Sequence, residues 1–152
     1  MKEALRLVVA LAKQFEGFSA VVYKCPAGIP TIGYGMTHHL DGRAVQITDE
    51  PVSEAEAELV LIKALSQQYM PAALKASPGL LDYPEQLAAI TDFCFNLGPA
   101  RYRASTLRKR IDEKDWEGAA VEIMRWNRCG GKVLRGLTSR RAAERALLLT
   151  GV

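Results

Sequence analysis

The sequence predicts an α+β fold, mostly helical, with a small β-sheet lobe and a larger helical lobe joined by a long helix. The prediction rests on three observations. Apolar residues recur at helical spacing over most of the chain. Residues 18–47 switch to β-formers broken by proline and glycine. A helix-start signal then opens a run that continues to about Tyr69. Residues 1–152 are read as a single domain, with a β-rich lobe over about 18–50, helical parts over 1–17 and 70–152, and a linking helix over 53–69.

In chain order, Leu5, Val8, Val9, Ala12 and Phe15 share one helical face, and Gly17 stops that helix just after Glu16. Val21, Val22 and Tyr23, then Thr31, Ile32 and Tyr34, read as strands separated by Pro26, Gly28 and Pro30, with Val45–Ile47 as a third strand. Ser53-Glu54-Ala55-Glu56 has the form of a capping box and opens the linking helix through Leu59, Ile62 and Leu65. Helices are expected over Pro84 to Asn96, ended by Gly98, then over Ser105 to Asp112, Trp116 to Trp126 and Leu137 to Leu149, with a loop at residues 129–132. Trp116 and Trp126 share helical spacing with Ala119, Ala120 and Ile123, so they are expected in the core rather than against a ligand.

Composition excludes several classes. At 152 residues and 49% hydrophobic content the chain can bury a sizeable core, which argues against disorder. No apolar run approaches the roughly 18 residues that a membrane span needs. The patch Leu7 to Ala12 is too short for a signal peptide. The chain is therefore expected in the cytosol, without membrane insertion, until something else releases it. Cys25, Cys94 and Cys129 are odd in number and widely spaced, so reduced thiols are expected, and the adjacent His38 and His39 complete no ligand set. Neither a metal nor a cofactor is expected.

Residues 1–100 carry 7 Lys and Arg against 11 Asp and Glu, whereas residues 101–152 carry 13 against 6. The basic C-terminal third favours polyanions, either nucleic acid or the acidic polymers of a bacterial envelope.

The chemistry concentrates at Glu16-Gly17-Phe18 and in the stretch Tyr23 to Gly35. A carboxylate at a helix C-terminus faces the negative pole of the helix dipole, and flanking by Phe15 and Phe18 would solvate it poorly; both effects favour the protonated form. A carboxylic acid that keeps its proton is what cleavage of a glycosidic bond requires, with its partner across the sugar ring on a neighbouring hairpin. Taken alone, a solvated helix-end Glu is more common. Gly33 and Gly35 permit close backbone approach to a sugar, although hairpin glycines more often serve the turn.

Glu16, Cys25 and Thr31 stand in the order Glu, eight residues, Cys, five residues, Thr, and Thr31-Ile32-Gly33-Tyr34-Gly35 completes a T-x-G-x-G hairpin motif. In this the sequence resembles the phage-type lysozymes of glycoside hydrolase family 24, whose signature has Asp, or sometimes Cys, at the middle position. Phe95-Asn96-Leu97-Gly98, Ser105-Thr106-Leu107, Trp126-Asn127, Gly130-Gly131, and Gly136-Leu137 with Arg140-Arg141 and Glu144 extend the resemblance over nearly the whole chain. It implies a lysozyme-like fold and hydrolysis of the β-1,4 bond between N-acetylmuramic acid and N-acetylglucosamine. Glu16 would be the general acid, Thr31 would hold water or line the sugar site, and Arg140 or Arg141 would pair with the acid. Gly33, Tyr34, Gly35, Asn96, Ser105, Arg140 and Arg141 would bind substrate. The partner implied is bacterial peptidoglycan, with no nucleic acid, acted on by a monomer released through a holin-type membrane lesion.

Cys25 departs from the family's usual Asp. As a thiolate it would serve as base or nucleophile, the latter with a covalent intermediate and retained stereochemistry; a free Cys is otherwise most often a small buried hydrophobe. The alternatives are a lytic transglycosylase, which needs no positioned water, and a non-catalytic binder of envelope polymer or nucleic acid.

Overall fold

The computed structural model describes all residues from Met1 to Val152. Helix α1 (Lys2–Glu16) buries Ala4, Val8, Leu11 and Ala12, the face that the spacing marks, and Gly17 ends it with φ 67° and an N–H bonded to the Lys13 carbonyl. Strands β1 (Ser19–Lys24) and β2 (Pro30–Gly33) pair antiparallel, with Tyr23 opposite Thr31.

The expected third strand at Val45–Ile47 does not form. Ala44 makes only an isolated bridge to His38, and the Gln46 N–H donates to the Asp49 carboxylate at 2.8 Å instead of continuing a ladder. Asp49 also accepts from His39 Nε2 at 2.7 Å and from Arg43 Nη1 at 3.0 Å, so a side chain rather than a strand organises this loop.

The capping box is present: Ser53 accepts from the Glu56 N–H, and Glu56 accepts from the Ser53 N–H. It starts α2 (Glu54–Ala64), which passes without a break through a π-helical turn, Leu65–Tyr69, into α3 (Met70–Ala76), so the linking segment runs beyond Tyr69. Pro71 supplies a reason for the wide turn, because it lacks an N–H and its ring collides with the carbonyl four residues back.

A 3₁₀ turn (Pro78–Asp82) leads to α4 (Pro84–Leu97), which is buried without a gap from Gln86 to Cys94. Against it pack α1, α3 and, of the following helices, α5 (Pro99–Arg103) and α8 (Arg135–Leu148), while α6 (Thr106–Asp112) packs on α5 and on α7 (Trp116–Ile123), which in turn packs on α8. Residues 129–132, expected as a loop, lie in a short hairpin, β3 (Arg128–Cys129) with β4 (Lys132–Val133). A core of 23 buried residues includes Val8, Leu61, Leu87, Phe93 and Leu148, each contributing roughly 1.5–3 kcal/mol by burial. Trp116 and Trp126 pack against it, Trp116 on Tyr83 and Trp126 edge-on to Phe93.

Candidate active site

Three elements meet at Glu16. It ends α1, where Gly17 turns the chain directly into β1. From α8, Arg140 Nη1 donates to Glu16 Oε1 at 2.7 Å. From the hairpin, Gly35 lies so close that a Cβ there would stand 2.8 Å from Glu16 Oε2, and its φ of 75° also suits glycine. The Glu16 side chain keeps 24% of its exposure while Arg140 keeps 5%, so the carboxylate reaches the surface and the guanidinium lies beneath it.

Arg140 is fixed from the other side. Its Nε and Nη2 both donate to the Asp92 carboxylate at 2.8 Å, a two-pronged contact with a fully buried partner on α4. The Phe15 and Phe95 rings flank the guanidinium at 5.7 and 5.9 Å. Phe15 thus packs on Arg140, and Phe18 packs on Tyr34 at 5.6 Å. An apolar pocket around the acid, expected from its sequence neighbours, is replaced by a cation.

Cys25 and Thr31 are together. Backbone N–H groups, chiefly that of Ile29, then Ala27, and the Thr31 hydroxyl hold the Cys25 thiol below its usual range. Thr31 is itself buried, and its hydroxyl donates its one hydrogen to the Ile29 carbonyl at 2.9 Å, so it serves the hairpin backbone. Tyr23 lies within reach of both thiol and acid: burial first, then the charges of Glu16 and Cys25, raise its phenol.

Four residues expected to bind substrate, Tyr34, Ser105, Arg141 and Gly33, are buried away from this surface. Tyr34 is buried and donates to Glu54 at 2.6 Å. Ser105 caps α6, accepting from the Arg108 N–H and donating to the Tyr102 carbonyl. Arg141 is fully buried and bonds Glu144 at 2.6 Å and Asn96 at 2.9 Å, which also engages Asn96 in packing. Gly33 is pressed against α2, where a Cβ would stand 2.9 Å from that of Ala57. Of the two arginines, Arg140 reaches Glu16. Its burial and that of Arg141 remove both from the basic face, whereas Arg101, Arg103, Lys109, Arg128, Lys132 and Arg135 stay exposed.

Sequence reasoning missed Asp92, and gave Glu144 no role. For Asp92 the signal was a charged residue amid the otherwise apolar run of α4, which in a buried position demands a cationic partner; Glu144, on the arginine-rich α8, carried no such signal. It also missed a groove of about 480 Å³ whose lining includes Met36 and Thr37, just after Gly35 in the chain, and Gln67, Gln68 and Tyr69. Tyr69 in turn meets Phe95 edge-on at 5.2 Å.

An acid at the meeting of a small β-lobe and a helical lobe, with a hairpin presenting a second reactive side chain, is the arrangement of a lysozyme-like glycoside hydrolase. Comparison with known proteins agrees. The family described as phage lysozyme matches residues 13–144. An endolysin of Acyrthosiphon pisum secondary endosymbiont phage 1 is 34% identical, the match covering 91% of this chain and 92% of that one. A SAR-endolysin of Enterobacteria phage P21 is 32% identical over 90% of this chain and 78% of its own. The solved endolysin from Escherichia coli O157:H7 phage FAHEc1 superposes with a TM-score of 0.85 at 29% identity, covering 97% of this chain and 93% of its own. The chain belongs to the phage lysozyme family. Its activity is that of a muramidase, a glycoside hydrolase that degrades bacterial peptidoglycan.

Proposed function

We propose that the chain hydrolyses the β-1,4 bond between N-acetylmuramic acid and N-acetylglucosamine, with Glu16 as the general acid that protonates the leaving oxygen. The observation that carries this reading is the placement of Glu16: partly exposed, held by Arg140, and overlain by Gly35, where no side chain blocks the approach of a sugar. Cys25 acts from the hairpin as the base that takes a proton from the attacking water, since neighbouring N–H groups favour its thiolate. Thr31 orients the sulfur. The groove along Met36, Gln68 and Tyr69 holds neighbouring sugars of the chain, and Asn96 acts through Arg141 rather than on substrate.

The working form is a monomer that needs no nucleic acid. No helix is long and apolar enough to cross a membrane, which supports accumulation in the host cytoplasm and release through a separate lesion. Mass analysis of the products tests the reaction: a free reducing end is expected, and a 1,6-anhydro sugar would establish a lytic transglycosylase instead.

A further inference from the structure

The guanidinium that grips the acid is itself gripped. Its three nitrogens are divided between two carboxylates: Nη1 donates to Glu16 at 2.7 Å, while Nε and Nη2 both donate to Asp92 at 2.8 Å. The two partners differ in their surroundings. Asp92 has no exposure and lies within the unbroken buried run of α4, whereas Glu16 keeps 24% of its side-chain exposure at the end of α1. Both α1, which bears Glu16, and α8, which bears Arg140, pack against α4, so Asp92 stands on the frame that the other two share.

Geometry follows from this division. An arginine side chain turns about several bonds, and one hydrogen bond to a partly exposed carboxylate leaves its plane free to swing. A fork on a buried carboxylate fixes that plane, and with it the direction in which the remaining nitrogen points. Phe95, one turn after Asp92 on α4, packs beside the same guanidinium at 5.9 Å.

Charge gives Asp92 a second task. Arg140 is 5% exposed, and a buried cation without a counter-charge is strongly unfavourable. Were Glu16 its sole partner, a proton on that acid would strand the guanidinium. With Asp92 beneath, Arg140 stays balanced in either state.

We propose that Asp92 is a positioning residue for the catalytic acid: it aims Arg140 Nη1 at Glu16 Oε1 and keeps it there whether that carboxyl is charged or neutral. The inference rests on Glu16 being the acid. Asp92 itself is fully buried and touches no sugar.

Asp92→Asn keeps the size of the side chain but loses the charge and one of the two accepting oxygens. It is expected to lower kcat on the order of tenfold or more through misplacement of the acid, while KM stays within about twofold because no contact to substrate is removed. Gln86→Met is the control. Gln86 is also buried on α4 and donates to the carbonyls of Leu148 and Thr150 at 3.0 and 2.9 Å, so its loss loosens the same two helices at the far end of α8. Gln86→Met is expected to lower Tm and keep the kcat of the wild type. An Asp92→Asn protein with wild-type kcat, or one whose kcat falls no further than that of Gln86→Met, overturns the proposal. NMR of the wild type gives a reading that does not depend on how the variants fold. The Arg140 Nε–H, held by Asp92, is expected as a resolved signal at neutral pH that exchanges slowly with water; a signal exchanging as fast as those of exposed arginines overturns the proposal too. Full activity of Asp92→Asn beside an inactive Glu16→Gln removes only the role of Asp92, whereas an active Glu16→Gln removes the acid assignment itself.

Discussion

At the scale of single residues, the reaction depends on which side chain faces the sugar opposite Glu16. A thiol alone is a weak base at neutral pH, but the N–H groups of Ile29 and Ala27 and the Thr31 hydroxyl favour its ionised form. Serine at position 25 keeps the size and loses the acidity, whereas aspartate restores an anion. Cys25→Ser is therefore expected to lower turnover on the order of a hundredfold, as loss of a general base does, and Cys25→Asp to retain much of it. Turnover of the two variants on purified peptidoglycan checks this, and equal activity of Cys25→Ser and wild type would remove the thiol from the mechanism. The closeness of Cys25 to Thr31, and of Glu16 to the hairpin at Gly35, was legible in the sequence because the hairpin lies close in the chain to the end of α1. Asp92 was not, because its partner Arg140 meets it only when α8 packs on α4, and no local pattern records that contact; Glu144 pairs with Arg141 three residues earlier on α8, a spacing that reads as an ordinary surface pair until the fold buries it. Tyr34 and Ser105 misled for the opposite reason: a motif marks them, yet a hydrogen bond to Glu54 and a helix cap account for them.

Between residue and molecule stand the hairpin and the loop after it. Gly35 is the point where the hairpin touches the acid, and a methyl group there would meet Glu16 Oε2 at 2.8 Å in a backbone conformation that L-residues avoid. Gly35→Ala is expected to cost about 1–2 kcal/mol of stability and to lower kcat more than an equally destabilising change elsewhere. Thermal unfolding measured beside turnover separates the two effects. The loop after the hairpin has its own pH limit. The Gln46 N–H first, then His39 and Arg43, hold the Asp49 carboxyl at about 2, below its ordinary value of 3.8. A depressed carboxyl stabilises the folded loop above its unfolded midpoint, about pH 4, and that support is lost as pH falls through about 2. Amide exchange over residues 37–49 is expected to quicken between those values, and in Asp49→Asn to be quick already at neutral pH. The same carboxylate explains why Val45–Ile47 reads as a strand but is none: alternation and β-propensity were visible, the competition of one side chain for the Gln46 N–H was not. The linking helix was legible from its capping box, while its extension past Tyr69 lay hidden because Pro71 reads as a breaker and a π-helical turn accommodates it.

For the molecule as a whole, the exposed cations at Arg101, Arg103, Lys109, Arg128, Lys132 and Arg135 outnumber the acids beside them, with Arg140 and Arg141 folded inward. Such a surface attracts the anionic polymers of a cell wall, and its reach falls from about 30 Å at 0.01 M salt to about 3 Å at 1 M. Lysis of intact walls is expected to slow steeply over that range while cleavage of short uncharged glycan fragments changes little; equal salt dependence of the two would remove the attraction. The charge asymmetry was legible from composition, but which basic residues reach the surface required the fold. The core claim is nevertheless local: one carboxyl, gripped by Arg140 from α8 and left open toward the hairpin, donates the proton that breaks the glycan. The rate of reducing-end release from purified peptidoglycan by Glu16→Gln, with its circular dichroism matched to that of the wild type, tests this most directly. A loss on the order of a hundredfold or more is the expected result; release at the rate of the wild type would contradict the account.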